Sequence, residues 1–184
     1  MRELGPIEIF SRWFAEEERD NQEHCMVLTT CCNDRPLSRT VLLKEFHENI
    51  FTFYTNLHSR KSQDILCNNT VHLLFVWKDK QISILGKAEQ VSDKRADEYF
   101  YSRSQEKQIS AIVSKQSNSL SSYKDFINEI ESFKGSIIRP EHWSGYDVIA
   151  YQMEFLERKC HRRNYRILFK NIEGDKWAST ELYP

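Results

Sequence analysis

The chain has 184 residues, enough for one domain with a substantial core. Its 26 basic and 27 acidic side chains leave a formal net charge of −1, without the basic excess of a general nucleic-acid binder. No uncharged apolar stretch approaches the ~18 residues of a membrane span, and "MRELGPIEIF" lacks the apolar centre of a signal peptide.

In chain order, Pro6 with Ile7, Phe10, Trp13 and Phe14 fits an amphipathic helix within residues 1–22. Strand signals fill residues 23–91. "CMVLTTC" (25–31) and "LSRTVLLKEF" (37–46) flank a Pro-containing turn, "NDRP", and "IFTFYT" (50–55) follows the turn "HEN". Ser59 then suits the N-cap of a short helix with Ile65 and Leu66 as its apolar positions. "TVHLLFVW" (70–77), the turn "KDK" and "QISILGKAEQV" (81–91) complete five strands, whose short connections imply antiparallel pairing in a barrel or sandwich. Residues 92–134 carry helices: "SDKRADEYFYSR" with Ser92 as N-cap, "QEKQISAIVS", and "SSYKDFINEIESFKG" with Gly135 as C-cap. Strands return over 145–184 in "DVIAYQMEFLERK" and "YRILFK", with "NIEGD" as a hairpin turn. The fold class is α+β, one domain over 1–184 built on an antiparallel barrel.

Five cysteines without a C-x-x-C pair fit neither a disulfide framework nor a zinc ribbon. His24, Cys25, Cys31, Cys32, Cys67, Cys160 and His161 lie mostly in apolar strand-like runs, where a thiol packs as a small hydrophobe, so no metal is expected. "NNT" at 68–70 is a glycosylation sequon, of no consequence without secretion. The expectation is a reduced, soluble, cytoplasmic domain with neither nucleic-acid nor membrane partners.

The cations are unevenly placed. Arg39 and Lys44 are five apart on one strand, which alternation puts on opposite faces unless a bulge intervenes. "CHRRNYR" concentrates Arg162, Arg163 and Arg166, and Arg103 and Lys107 lie near a helix end. Arg60 and Lys61 open a helix, where the backbone already presents partial positive charge and cations cost stability. A phosphate-type anion resolves the conflict, because it accepts backbone N–H groups and both cations at once. The hydroxyl- and amide-rich "SKQSNSLSSY" (114–123) is a plain loop or a hydrogen-bonding surface for a polar heterocycle.

"SRTVLLKEF", "FYTNLHSRKSQDI", "VHLLFVW", "QISILGKAEQVS", "YFYSRSQEKQISAIVSKQS" and an Arg-rich stretch ending in "LYP" occur in order, and over residues 10–184 the chain resembles the pyridoxine/pyridoxamine 5′-phosphate oxidase family. The resemblance implies a split-barrel flavoprotein, a homodimer with FMN at the subunit interface, which oxidises a phosphorylated pyridoxine or pyridoxamine and returns electrons to O₂. It implies that Arg39, Thr40 and the backbone through Leu42 lie along the flavin. Tyr54, Thr55, Arg60 and Lys61 would hold the FMN phosphate and ribityl chain, and Gln81, Gln116, Ser117 and Arg166 would complete the cofactor site. Lys44, Tyr99, Arg103 and Lys107 would hold the substrate phosphate, with Arg162 and Asn164 at the substrate ring as the catalytic pair.

The substrate side departs from the family pattern. "RRNYR" puts Asn164 where a histidine is usual, and asparagine does not titrate near neutral pH. Leu156 replaces an aromatic beside the flavin, and Lys107 replaces a small hydroxyl residue. Two alternatives therefore stay open: an FMN-dependent oxidase of another substrate, of the phenazine-pathway type, or a non-catalytic module that binds FMN or pyridoxal phosphate.

Overall fold

The computed structural model describes residues 4–18, 24–174 and 176–184. The ends of the expected 1–22 helical segment, residues 1–3 and 19–22, and Asp175 of the final turn lie outside the described residues. Helix α1 spans Pro6–Glu18. Strands β1 (Cys25–Cys32), β2 (Arg35–Leu42), β3 (Glu45–His47) and β4 (Ile50–Asn56) follow. Helix α2 (Arg60–Cys67) leads into β5 (Thr70–Val76) and β6 (Lys80–Gln90). Helices α3 (Asp93–Ser102), α4 (Gln105–Val113) and α5 (Tyr123–Glu131) precede β7 (Trp143–Glu157), β8 (Tyr165–Glu173) and β9 (Lys176–Leu182).

The nine strands form one sheet, ordered β2-β1-β5-β6-β7-β4-β3, with β8 added to β7 and β9 to β8. Every pairing is antiparallel. β2 and β3 stand at opposite ends of that order yet are joined by only Leu43 and Lys44. The Leu43 amide bonds the His24 carbonyl and the Lys44 amide bonds Thr52, so this link curls the sheet until its ends meet. The result is an antiparallel split barrel in the α+β class.

Helix α1 stops the barrel with aromatic packing. Phe10 is fully buried and meets Phe46, Phe51 and Phe75 edge-on at 4.9, 4.9 and 5.3 Å between ring centroids. Edge-to-face geometry sets the positive ring rim of one phenylalanine against the negative face of another.

Several sequence expectations need correction. The run 37–46 is two strands, since the chain leaves β1 for β4 at Leu43–Lys44. The first hairpin turns on Asn33 and Asp34, both at positive φ, while Pro36 sits in edge strand β2, where a missing N–H is tolerated. Leu66 is exposed; Ile65 alone carries the apolar face of α2 inward. α5 ends at Glu131 with Ser132 as its C-cap, four residues before Gly135, and Gly135 does not take positive φ. The cysteines are not all reduced: Cys32, ending β1, is disulfide-bonded to Cys67, ending α2, while Cys25, Cys31 and Cys160 are free. No cluster of metal-ligating side chains occurs among the described residues, and no described helix is long and apolar enough to cross a membrane.

Candidate active site

The N-terminus of α2 is the natural starting point. Ser59 takes an extended N-cap conformation, which leaves Arg60 and Lys61 in the first turn. The two cations then diverge. Arg60 folds back along the helix and donates from Nε to Asp64 at 3.0 Å. Asp64 is buried and also accepts from Thr30 Oγ1 at 2.7 Å, with the Arg39 guanidinium 3.5 Å away. Burial works against its charge, but the hydrogen bonds of Thr30 and Arg60 and the charges of Arg60 and Arg39 keep the Asp64 carboxyl below the usual range.

Lys61 goes the other way, into a cavity, and only 8% of it is exposed. Its ammonium donates to Thr55 Oγ1 (3.1 Å), Ser59 Oγ (3.1 Å) and Gln116 Oε1 (2.9 Å). All three acceptors are neutral, and no described carboxylate pairs with it. Burial, with the Arg39 charge added, pulls the Lys61 pKa down to about 8. The loop after α4 lies across this point: Gln116 also meets Thr55, and Ser117, at φ 72°, accepts the Arg60 amide through Oγ at 3.1 Å.

The cavity has a volume of about 410 Å³, inside the range usual for small-molecule sites. Four cations (Lys44, Lys61, Arg103 and Lys107) line it, and no carboxylate does so among the described residues. One wall is aromatic. Tyr54 stacks on Tyr99 at 4.0 Å and on Trp143 at 5.6 Å, with interplanar angles of 16° and 8°. Gly145, paired with Tyr54 across β4 and β7, makes room for that ring: a Cβ there would lie 2.7 Å from the Tyr54 ring and from the Phe53 carbonyl oxygen. Burial pushes both phenols up, so they stay neutral donors at physiological pH. Arg103 lies over the Trp143 ring at 4.9 Å, and its buried Nη1 has no hydrogen-bond partner. A buried guanidinium nitrogen left unpaired is costly, and an anion in the cavity would relieve it.

Thr40, Leu42, Lys44, Tyr54, Thr55, Lys61, Tyr99, Arg103, Lys107 and Gln116 therefore meet in one place. Other candidates do not line this cavity. Arg39 stays on the core side of β2, bonding Thr30 Oγ1 at 2.7 Å; Lys44 lies beyond the end of β2, so strand alternation does not relate the two. Arg60 is turned to Asp64, and Ser117 reaches the site only through the Arg60 amide. Arg162 is exposed in a short 3-10 turn, Cys160–Arg162, and Asn164 accepts the Lys159 amide at 3.1 Å. Gln81, Leu156 and Arg166 form one cross-strand row on β6, β7 and β8. Their neighbours Ile82, Phe155 and Ile167 are core residues, so this row projects from the outer face of the sheet. Arg166 is held there by Glu154 at 2.7 Å and by the Tyr183 carbonyl at 3.1 Å.

Sequence reasoning missed Asn56, Ser110, Ala111 and Trp143, which also line the cavity, while Ser114 opens the polar 114–123 segment that it did single out. For Trp143 the available signal was Gly145, two residues on, since a glycine inside a strand marks a close backbone approach.

The sequence profile described as pyridoxamine 5′-phosphate oxidase matches residues 15–134. A protein of Ehrlichia ruminantium named pyridoxine/pyridoxamine 5′-phosphate oxidase is 36% identical over 189 residues, covering 97% of each chain. One of the same name from Gluconobacter oxydans is 38% identical, covering 97% of this chain and 94% of its own. Among solved structures, PhzG from Burkholderia lata 383, in complex with tetrahydrophenazine-1-carboxylic acid, superposes with a TM-score of 0.89 at 24% identity, covering 97% and 92% of the two chains. A pyridoxamine 5′-phosphate oxidase-related, FMN-binding protein from Nostoc punctiforme gives 0.83 at 16% identity, covering 98% and 99%. With its full length matched by relatives of one name and its fold shared with that group, the chain belongs to the pyridoxamine 5′-phosphate oxidase family.

Proposed function

We propose that this chain is an FMN-dependent oxidase of pyridoxamine or pyridoxine 5′-phosphate, working as a homodimer with O₂ as electron acceptor. The observation that carries the reading is the charge layout of the cavity. One buried cation, Lys61, stands at a helix N-terminus, and a second group (Lys44, Arg103 and Lys107) lines the same cavity, with stacked rings as part of its wall. Two planar ligands, each ending in a phosphate, satisfy that layout.

Lys61, Thr55, Gln116 and the first-turn amides of α2 suit the FMN phosphate, with Thr40 and Leu42 beside the rest of the cofactor. When bound, FMN supplies a ring that takes two electrons and a proton from the substrate carbon. Arg103 Nη1, Lys44, Lys107 and the neutral Tyr99 hydroxyl suit the substrate phosphate. The protein's task is then orientation and exclusion of water around two stacked rings.

The remaining candidates support a dimer. A continuous row on the outer face runs from Thr40, at the cavity, through Val27, Leu74 and Ser83 to Glu154, the partner of Arg166. A second copy packed on this face about a two-fold axis brings its own Glu154–Arg166 end over the first copy's Thr40. Gln81, Arg166, Arg162 and Asn164 would then reach the cavity from the second copy. Their exclusion from it within one chain is what such an arrangement requires.

Anaerobic mixing tests the reading. Protein loaded with FMN should lose its flavin absorbance band on adding pyridoxamine or pyridoxine 5′-phosphate and regain it on admitting O₂. No bleaching by either compound, in protein shown to be fully loaded, refutes the assigned substrate and leaves an oxidase of a different anion.

A further inference from the structure

We propose that Arg139, which does not line the cavity, is a positioning residue that sets the substrate-phosphate wall. This rests on the functional reading above. Arg139 lies in the connection between α5 and β7, and its side chain is 11% exposed. It donates from Nε to Asp97 Oδ1 at 2.5 Å and from Nη2 to Asp93 Oδ1 at 2.9 Å, two carboxylates one helical turn apart on α3. Its third nitrogen, Nη1, donates to the Trp143 carbonyl at 2.8 Å. One guanidinium thus ties the first half of α3 to the first residue of β7.

The consequence lies further along both elements. α3 carries Tyr99 and is capped by Arg103, while β7 begins with the ring on which Arg103 rests. Phe100 packs edge-on against the same ring at 5.2 Å. The position of Arg103 therefore depends on the fit between α3 and Trp143, and Arg139 bonds to both. The Lys61 end of the cavity is built from α2, β4 and the 114–117 loop, none of which Arg139 touches through its side chain. A fork with two parallel donors also holds orientation in a way that a lysine ammonium does not.

Steady-state kinetics on the FMN-loaded enzyme test this. Arg139→Ala should raise KM for pyridoxamine 5′-phosphate about tenfold, as expected for a displaced binding group. Its kcat and FMN Kd should stay within about twofold, and kcat/KM for unphosphorylated pyridoxamine should change little. Arg139→Lys should recover part of the loss, and Asp93→Asn with Asp97→Asn should reproduce it. An unchanged KM overturns the proposal. So does a parallel loss with both substrates and in FMN affinity, which marks a purely structural role. If Arg139→Ala does not fold, Asp97→Asn, which keeps the bond to Trp143, carries the same comparison. Failure of the functional reading shows separately, as wild-type holoenzyme that does not oxidise the phosphate ester. Calorimetric titration with inorganic phosphate then still compares wild type with Arg139→Ala, and equal affinities refute the proposal.

Discussion

Replacing Lys61 by methionine should move cofactor affinity and apoprotein stability in opposite directions. The side chain is buried, bonded to three neutral oxygens and unpaired with any described carboxylate, so the empty site holds a charge that the fold disfavours. Its pKa, lowered from 10.5 to about 8 by burial first and the Arg39 charge second, expresses that cost. A lysine with a depressed folded value binds fewer protons folded than unfolded between pH 8 and 10.5, so apoprotein stability contributed by this group rises across that window. At neutral pH an uncharged isostere should therefore raise the apoprotein Tm, by about 2–4 °C for each kcal/mol recovered in a chain of this size. FMN loses a charge-assisted hydrogen bond worth about 1.5–3 kcal/mol, which weakens binding roughly ten- to 150-fold. For the wild type, affinity should fall above pH 8, because the neutral amine must take up a proton to pair with the phosphate. Titration of FMN into apoprotein, read by flavin fluorescence across pH, measures all of this. An unchanged Kd in Lys61→Met, or a Kd flat between pH 7 and 10, would refute the reasoning.

Leu74→Arg places a charge in the middle of the outer-face row and should give a monomer by light scattering that also loses FMN; a monomeric mutant with wild-type FMN affinity contradicts the shared site. The Cys32–Cys67 bond joins residues 35 apart in sequence, so reduction should cost about 3–4 kcal/mol and lower Tm by roughly 6–16 °C. Cys67→Ser should show the lower Tm with or without reductant, and equal melting of the oxidised and reduced wild type counts against a stabilising bond.

What could be read from the chain in advance was whatever local chemistry announces. β-branched and aromatic alternation marks β1, β4, β5 and β6, and Ser92 with an acidic first turn marks α3, because these signals act within one element. Lys61 stood out because a cation at a helix N-terminus contradicts the local electrostatics, and the contradiction points outside the chain. Arg60 carried the same signal and resolves it internally, through an aspartate one turn away that looks like ordinary helix composition. The disulfide had no pattern to betray it: Cys32 and Cys67 become neighbours only because α2 packs back on the end of β1. The division between cavity and outer face was equally hidden. Motif order treats Gln81, Arg166 and Lys61 alike, whereas sheet parity sends Gln81 and Arg166 to the outer face and the first turn of α2 sends Lys61 into the cavity.

The pairing of β4 with β7 has a consequence for how the site comes into being. Thr52 bonds Asp147 across 95 positions of chain, and Tyr54 finds Gly145 and Trp143 only through that pairing. The hairpins β1–β2 and β5–β6 can close while synthesis proceeds, since each joins neighbours. β3–β4 rests on Phe10 of α1 but has no further strand to pair with until residues 143–157 emerge. Such distant contacts carry the loop-closure entropy that slows folding. A nascent chain therefore displays the Lys61 helix terminus long before it owns a cavity, and the aromatic wall is among the last parts laid down. Substitutions at the β4–β7 seam away from the aromatic wall, such as Thr52→Val, which removes the bond to Asp147, should act chiefly on the yield of assembled protein and far less on the chemistry of molecules that finish folding.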